Sequence, residues 1–213
     1  MITFTLSCPT DIFMSNTTKF LDAAQHGKVA VLQEMLRART DVNVKDWHDG
    51  ETALSLAARG GHIECVQMLL DAKANIEAKN YEGETPLMWA SDQGHKDCLQ
   101  LLISAKANVN AKKETGDTAL MAVALRGYLE CLQLLIDAKA DTNAQDMTGS
   151  TALHYTLMSR FPHKSNLSLK VLVDAKANLE IRGINGTTAL LVAAMHGSTA
   201  CVQILLDAKA DID

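Results

Sequence analysis

The sequence predicts an all-α solenoid, in which pairs of short helices stack side by side into an elongated array. Two regularities of spacing predict this fold class. A Gly-x-Thr motif begins at residues 50, 83, 116, 149 and 186, and a tetrad of the DAKA type begins at residues 71, 104, 137, 174 and 207. Because both motifs return every 33 residues, apart from one interval of 37, the chain is built from repeated units.

The repeats divide the chain into six units. A diverged first copy, "TKFLDAAQHGKVAVLQEMLRARTDVNVKD", precedes the five regular ones. The predicted units cover residues 17–46, 47–80, 81–113, 114–146, 147–183 and 184–213. Residues 1–16 are expected to form a poorly ordered extension, and they lack the basic start and long apolar stretch of a secretory signal.

Within one unit, the residue types indicate the local structure. In the third unit, Asn80 and Gly83 occupy the first and fourth places of a predicted β-turn. Thr85 is a good helix N-cap, and Pro86 takes the first helical position, where its missing N–H is not needed. Gly94 ends this helix, and an apolar stripe follows on a second one. Each unit is therefore predicted to contain a turn and two short antiparallel helices.

This pattern resembles the ankyrin repeat family over residues 17–213. The segment "DGETALSLAARGGHIECVQMLLDAKANIEAK", residues 49–79, matches most of that family's diagnostic positions. The resemblance implies helix pairs with projecting β-hairpin loops, stacked into a curved array. It also implies a concave face that binds other proteins.

The sequence departs from the family pattern where each second helix ends. The usual glycine there is replaced by Lys73, Lys106, Lys139, Lys176 and Lys209. A left-handed conformation at these positions costs a non-glycine residue about 1 kcal/mol, and a cation at a helix C-terminus recovers part of that cost. We interpret them as solvated lysines of copied repeats, and a lysine ladder for an acidic partner is the alternative.

Four cysteines occupy one repeat position: Cys65, Cys98, Cys131 and Cys201. Packed helices lie roughly 8 to 10 Å apart, whereas a disulfide needs Cα atoms within about 7 Å, and zinc ligands must converge on one ion. We therefore expect buried free thiols and no metal site. Free thiols favour a reducing compartment, either the cytoplasm or the nucleus.

Composition excludes several classes of function. The chain is 47% hydrophobic and 21% charged, with a formal net charge of −5 and an isoelectric point near 5.8. Without a basic block, nucleic acid is not an expected partner. Without a run of about 20 apolar residues, neither is a membrane.

Catalytic motifs are missing from the sequence as well. We find no phosphate-binding loop, dinucleotide fingerprint, metal-spaced His/Glu motif or nucleophile elbow. His62 and His95 occupy the family's structural Gly-His position. His154 lies close in sequence to Asp146 and Tyr155. The resemblance to the ankyrin repeat family, however, implies that this histidine forms a structural hydrogen bond with neighbouring backbone. We therefore predict no catalytic residue, no cofactor and no small-molecule substrate.

Partner contacts are expected at the variable positions. By resemblance, these are the hairpin tips, the residues just after each turn glycine and the inner end of each first helix. The N-terminal half supplies an aromatic and acidic set: Trp47, His48, Glu51, Arg59, Tyr81, Glu82, Glu84, Trp89 and Asp117. The C-terminal half supplies a more apolar set: Leu125, Arg126, Met147, Met158, Ile184 and Met195.

The insertion in the fifth unit offers another candidate contact. The segment "SRFPHKSNLS", residues 159–168, contains the four additional residues and places Phe161 between Arg160 and Lys164. Phe161 is a candidate recognition residue. A neutral insertion is the alternative, because additional loop length costs little free energy.

The sequence thus predicts a non-catalytic interaction module whose partner protein it does not identify. The alternative is a regulatory or targeting domain of a larger enzyme, of the kinase or ubiquitin ligase type. The last unit ends in a helix of the internal kind, so we expect either further repeats or domains beyond residue 213 or coverage of this end by another chain or by self-association. The resemblance also makes Asn110 and Asn143 candidate hydroxylation substrates.

Overall fold

The computed structural model describes residues 9–159 and 162–212, with the side chains of residues 16–159 and 165–212. Within this part of the chain there are twelve α-helices and one 3-10 turn, Ile184–Gly186. The helices are α1 (Pro9–Gln25), α2 (Val29–Arg37), α3 (Ala53–Gly60), α4 (Ile63–Asp71), α5 (Pro86–Gln93), α6 (Lys96–Ser104), α7 (Ala119–Arg126), α8 (Leu129–Asp137), α9 (Ala152–Met158), α10 (Pro162–Asp174), α11 (Ala189–Met195) and α12 (Thr199–Asp207).

The helices form two parallel rows, which confirms the predicted all-α solenoid. The first helix of each unit packs on the first helix of the next, from α1 through α3, α5, α7 and α9 to α11. The second helices, from α2 to α12, pack on one another in the same order. The backbone of residues 9–16 belongs to α1, and residues 1–8 lie outside the described part, so the expected poor order of residues 1–16 stays a prediction.

Leucines at repeat spacing form the core between the two rows. Leu54, Leu87, Leu120 and Leu153 lie on the first helices of four successive units, and each is at most 1% exposed. A second series on the opposite row is fully buried: Leu69, Leu102, Leu135, Leu172 and Leu205. Each buried leucine contributes about 1.5 to 3 kcal/mol to stability, so the repeat period itself builds a continuous core.

The helix ends follow from the predicted capping residues. Oγ1 of Thr52 accepts a hydrogen bond from the Ser55 N–H at 3.3 Å and so caps α3. Gly61 ends the same helix with a φ of 71°, and a Cβ there would lie 2.6 Å from the His95 ring of the next unit. Glycine is therefore required at this position both for its backbone conformation and for the close approach of the neighbouring unit.

The repeated lysines adopt the left-handed conformation expected at the ends of the second helices. Their φ angles lie between 63° and 71° at Lys73, Lys106, Lys139, Lys176 and Lys209. In the second unit, the next residue completes the cap, because the Ala74 N–H donates to the Leu69 carbonyl at 2.9 Å. This hydrogen bond holds the lysine in a strained conformation that glycine would adopt freely.

The hairpin loops join into a continuous strip along one side of the array. Each is a turn closed by a backbone hydrogen bond, as between the Asn80 N–H and the Glu84 carbonyl at 3.1 Å. Hydrogen bonds also link neighbouring turns, since the Tyr81 N–H donates to the Asp49 carbonyl at 2.9 Å. The one β-bridge in the described residues pairs Lys45 with Thr52.

The four repeated cysteines are buried free thiols, as predicted. Burial raises the pKa of Cys98 to about 11, and it also raises the pKa of Cys65 and of Cys131. These groups therefore behave as small apolar side chains between the two rows of helices.

Candidate functional site

Three pockets lie in sequence along the side of the array formed by the hairpins and the first helices. The first pocket, of about 290 Å³, lies between α1 and the hairpin of the second unit, and Trp47 lines it. The second pocket, of about 250 Å³, lies between the second and third units. The third pocket, of about 110 Å³, follows between the third and fourth units. Glu84 lines both the second and the third pocket, so these two adjoin.

The second pocket brings together an aromatic wall and an acidic rim. Nine residues line it: His48, Asp49, Glu51, Arg59, Asn80, Tyr81, Glu82, Glu84 and Trp89. The Arg59 guanidinium carbon lies 5.0 Å from the centre of the Trp89 ring, a cation–π contact between α3 and α5. This contact already occupies one face of the tryptophan with a positive charge.

The two hairpin tips beside the second pocket contact each other. The Tyr81 ring lies against Gly50, where a Cβ would approach it to 2.7 Å. The Asp49 carboxylate lies 2.7 Å from Nδ1 of His48, and this hydrogen bond raises the pKa of His48 above its usual range. An aromatic and an acidic group are therefore presented together at the entrance.

Glu51 is the buried charge of the second pocket. Its side chain is only 2% exposed, and its Oε1 accepts a hydrogen bond from Nδ2 of Asn80 at 3.0 Å. The same amide nitrogen donates to Oε2 of Glu84 at 2.9 Å. Burial raises the pKa of the Glu51 carboxyl, because the Ser55 hydroxyl, the Asn80 amide and the Arg59 charge offset only part of the desolvation.

Two buried polar atoms of the second pocket have no hydrogen-bond partner in the described residues. They are Oε2 of Glu51, an acceptor, and Nε1 of Trp89, a donor. Buried polar groups are almost always hydrogen-bonded, and an unpaired one costs roughly 1 to 3 kcal/mol. An acceptor and a donor left open in one pocket are the pattern expected of a site that receives its partners from a ligand.

The third pocket is organised around Tyr155. Its hydroxyl lies 2.6 Å from Asp117 and 2.8 Å from Asp146, which belong to successive hairpins. Burial, reinforced by these two carboxylates, raises the pKa of Tyr155 well above its ordinary value. Lys113 lies 3.8 Å from both Glu84 and Asp117 and partly balances their charge. The group is a structural clamp between units.

Most of the predicted N-terminal residues meet in these pockets. His48, Arg59, Tyr81, Glu82, Glu84 and Trp89 line the second pocket, Trp47 lines the first, and Asp117 and Leu125 line the third. Glu51 also lines the second pocket, where its side chain is almost completely buried, and its role as a partner contact stays a prediction. Trp47 and Tyr81 are the most exposed aromatic residues described here, at 80% and 60%.

Apart from Leu125, which lines the third pocket, the C-terminal candidates line none of these three pockets. Met147, Ile184 and Met195 are exposed, whereas Met158 is half-buried and packs against the core. Arg126 pairs with Asp92 through two hydrogen bonds of 3.1 Å. Phe161 and Arg160 lie outside the described residues, so the proposed role of that insertion stays a prediction.

Sequence reasoning missed several residues of the site. Asn80 and Asp49 of the second pocket, and Tyr155 and Lys113 of the third, were not among the predicted contacts. The sequence did show that one turn differs from the others. The turn from Asp46 to Gly50 is one residue longer than the turn from Asn80 to Gly83. That longer turn contains the exposed Trp47.

The histidines have structural hydrogen bonds. Nε2 of His62 lies 2.9 Å from the Gln25 carbonyl, and Nε2 of His95 lies 3.0 Å from the Arg59 carbonyl, which links successive units. His154 is buried between Thr151 and the Thr187 carbonyl, and burial lowers its pKa. Among the described residues, Asp146 accepts a hydrogen bond from the Tyr155 hydroxyl at 2.8 Å, whereas the hydrogen bonds of the His154 ring go to Thr151 and Thr187.

The described residues contain neither a metal-binding cluster nor a membrane-spanning helix. No group of three or more His, Cys, Asp or Glu side chains there is placed to hold a metal ion. None of the helices described is both long and apolar enough to cross a bilayer.

Comparison with known proteins assigns the repeat region to one family. The family model for ankyrin repeats matches three overlapping stretches, residues 20–113, 107–167 and 120–213. Mask-1 of Caenorhabditis elegans, an ankyrin repeat and KH domain-containing protein, is 38% identical over 60 residues, which are 28% of this chain and 2% of that protein. Cortactin-binding protein 2 of Dasypus novemcinctus is 42% identical over 62 residues, 29% of this chain and 4% of that protein.

Solved structures extend the likeness to nearly the whole chain. An ankyrin repeat domain from Acinetobacter baumannii AYE superposes with a TM-score of 0.82 at 27% identity, covering 90% of this chain and 98% of that one. The ankyrin repeat protein EF0377 gives a TM-score of 0.82 at 26% identity, with 89% and 97% coverage. The chain spans only a small fraction of its two curated relatives, but by the family model and by these folds it belongs to the ankyrin repeat family.

Proposed function

We propose that this chain is a non-catalytic protein-interaction module whose partner lies along the first, second and third pockets. The observation that carries the proposal is the row of three pockets between successive hairpins and first helices, of which the second and third adjoin. Ankyrin repeats are generally protein-interaction modules, and a stacked array binds through the surface that its structural residues leave free.

The chemistry of the surface supports a protein partner. Trp47 and Tyr81 project from neighbouring hairpins, and both are largely exposed to solvent. Exposed aromatic residues beside pockets are typical anchors of protein interfaces, because they bury a large area at a low cost in side-chain entropy. One relative, cortactin-binding protein 2, is itself named for binding a protein. The partner of this chain would be held chiefly by these two hairpins.

Affinity capture from the native cell tests the proposal. The protein with Trp47→Ala and Tyr81→Ala should retain at least tenfold less of its captured partners than the unchanged protein. The matched control carries Ile63→Ala and Leu167→Ala, which remove exposed apolar side chains outside the three pockets. Thermal unfolding monitored by circular dichroism establishes that both variants fold. Equal capture by the two variants would refute the proposed surface.

The alternative function is that of a regulatory or targeting domain of a larger enzyme. It is favoured by the length of the curated relatives, of which the matched segments are only 2% and 4%. Transcript sequence beyond residue 213 decides this alternative. An open reading frame that continues into a kinase or ligase domain would establish it, and a stop codon after residue 213 would remove it.

The buried thiols support an intracellular location. Cys65, Cys98, Cys131 and Cys201 are unpaired and enclosed between the helix rows, an arrangement that suits a reducing compartment such as the cytoplasm or the nucleus. Imaging of the protein with a fluorescent tag in its native cell tests this assignment, and accumulation in the secretory pathway would contradict it.

A further inference from the structure

We propose that the second pocket receives an arginine side chain from an extended segment of the partner protein, with Glu51 as its buried counter-charge. This inference rests on the proposed function and adds the chemistry of one subsite. Three features of the pocket point to such an occupant: its balance of charge, the unpartnered Oε2 of Glu51 and the unpartnered Nε1 of Trp89.

The charge around the second pocket is strongly acidic. Four carboxylic side chains line it, those of Asp49, Glu51, Glu82 and Glu84, against the single guanidinium of Arg59. That guanidinium already lies over the Trp89 ring. Lys113 is 3.8 Å from Glu84, but it does not line the second pocket. The pocket therefore attracts a positive group from outside the chain.

The Asn80 amide has no further hydrogen to offer to Glu51. Nδ2 of Asn80 has two hydrogens, and it already donates to Glu51 Oε1 and to Glu84 Oε2. The Ser55 hydroxyl donates to the Thr52 carbonyl at 2.9 Å, and it also lies close enough to Glu51 to lower the pKa of that carboxyl. Oε2 of Glu51 still has no hydrogen-bond partner of normal geometry in the described residues, on a carboxylate that is 98% buried, and an incoming N–H donor would provide one.

Trp89 indicates that the occupant is part of a peptide and not a free cation. Its Nε1 is a donor only, so it requires an acceptor, which neither a guanidinium nor an ammonium group carries. A backbone carbonyl next to the inserted side chain supplies one. At about 250 Å³, the second pocket is far larger than the space needed for a single water molecule.

Arginine fits this pocket better than lysine. Its planar guanidinium presents five N–H donors, and it gives up its hydration more readily than an ammonium group does. It can therefore donate to the buried Oε2 of Glu51 while its remaining N–H groups face the acidic rim. Lysine offers a strongly hydrated point charge, which is costlier to transfer beside a buried carboxylate.

A tripeptide titration followed by nuclear magnetic resonance tests the proposal on the full chain. The probe is acetyl-Gly-Arg-Gly-amide, which offers one guanidinium and several carbonyls. The readout is the indole N–H signal of Trp89, assigned by its persistence in Trp47→Ala, since the chain has two tryptophans. We expect this signal to move in a saturable manner with the arginine peptide. Versions with lysine or with citrulline, the neutral analogue of arginine, should bind at least about tenfold more weakly.

Two variants separate the role of Glu51 from general electrostatics. Glu51→Gln should weaken arginine peptide binding about tenfold or more, because the charge-assisted hydrogen bond is lost. Glu114→Gln makes the same change of charge on an exposed hairpin outside the second pocket and should leave binding unchanged. The proposal would be overturned if the Trp89 signal did not shift at a peptide concentration of about 50 mM. It would also be overturned if the arginine and citrulline peptides gave about equal shifts, or if Glu51→Gln bound the arginine peptide as tightly as the unchanged protein does. Equal binding of the lysine peptide would overturn the choice of arginine.

Failure of this inference can be distinguished from failure of the proposed function. If Trp47→Ala with Tyr81→Ala abolishes protein capture while the tripeptide leaves Trp89 unaffected, the interaction surface stands and the arginine pocket does not. If the tripeptide binds through Glu51 but capture is insensitive to the two hairpin substitutions, the pocket stands and the partner uses a different surface.

Discussion

Nδ2 of Asn80 lies 3.0 Å from Oε1 of Glu51 and so joins two successive hairpins. Oδ1 of the same side chain accepts hydrogen bonds from the backbone N–H groups of Glu82, at 3.0 Å, and Glu84, at 2.8 Å. One residue therefore closes its own turn and pairs with the buried carboxylate that follows the preceding turn. The hairpin fold and the second pocket depend on the same amide.

This relationship predicts the cost of removing Asn80. Asn80→Ala should lower the free energy of unfolding by about 1 to 3 kcal/mol, since it leaves a buried carboxylate and two turn N–H groups without partners. Urea denaturation measures the loss. Asn80→Asp, the control, keeps the acceptor for the turn but adds a carboxylate beside Glu51 and Glu84, so its deficit should shrink as the pH falls. An unchanged midpoint for Asn80→Ala would contradict this account.

Glu51→Gln should stabilise the protein at neutral pH. Burial raises the pKa of Glu51 in the folded state, so between its unfolded and its folded pKa the native protein binds more protons than the unfolded chain. Its contribution to stability is thus fully present below the unfolded pKa and is lost as the pH rises through the folded pKa. The advantage of the variant should be greatest above that window and disappear below about pH 4.

Thermal unfolding of both proteins from pH 4 to pH 8 checks this prediction. A variant less stable than the unchanged protein at pH 7 would show that the carboxylate is compensated within the chain. A variant that is more stable but binds the arginine peptide more weakly would show that Glu51 favours binding and lowers the stability of the fold.

The fifth unit has a serine, Ser168, where the other regular units have a cysteine. Ser168 is fully buried, and its hydroxyl has no hydrogen-bond partner in the described residues. Ser168→Cys should raise the free energy of unfolding by about 1 to 2 kcal/mol, because the thiol is far cheaper to bury than an unpaired hydroxyl. Ser91 is an equally buried control whose hydroxyl donates to the Leu87 carbonyl at 2.8 Å. Ser91→Cys should not stabilise the protein in urea denaturation.

Glycine in place of a left-handed lysine should increase the stability of the protein. Lys106 has a φ of 71°, so Lys106→Gly should raise stability by about 0.5 to 1 kcal/mol despite the greater freedom of glycine in the unfolded chain. Lys106→Ala keeps the Cβ and its strain, and it should give no gain. Guanidinium denaturation of the two variants makes the comparison. A gain for alanine equal to that for glycine would mean that the lysine charge, and not the backbone, limits stability.

The repeated thiols should be protected from solvent reagents. Cys65, Cys98 and Cys131 are buried with raised pKa values, so a disulfide reagent at pH 7.5 should modify them at least a hundredfold more slowly than in urea. Cys8 lies outside the described residues and is removed by Cys8→Ser in this experiment. Rapid reaction of the folded protein would show that the helix rows open readily.

Much of the fold could be predicted from the sequence because the signals are local and repeated. Thr52, Gly61 and Lys73 each act through the few residues beside them, and the 33-residue period copies that local structure along the chain. The helix rows, the buried cysteines and the left-handed lysines were all confirmed. The exposed aromatic residues at the hairpin tips were expected for the same reason, since the position of a turn residue depends on the local structure of its hairpin.

The pockets could not be predicted in the same way, because they form between units. Glu51 and Glu84 follow equivalent turn glycines, yet Glu51 is buried and Glu84 is half-buried. The difference arises where Asn80 and Trp89 of the third unit approach the second. The sequence by itself determined the repeated unit, its two helices and the residues at its surface. Only the tertiary structure decided which side chains of adjacent units enclose a charge, because burial and unpaired hydrogen bonds depend on neighbours far away in the sequence, as Asn80 is 29 residues from Glu51.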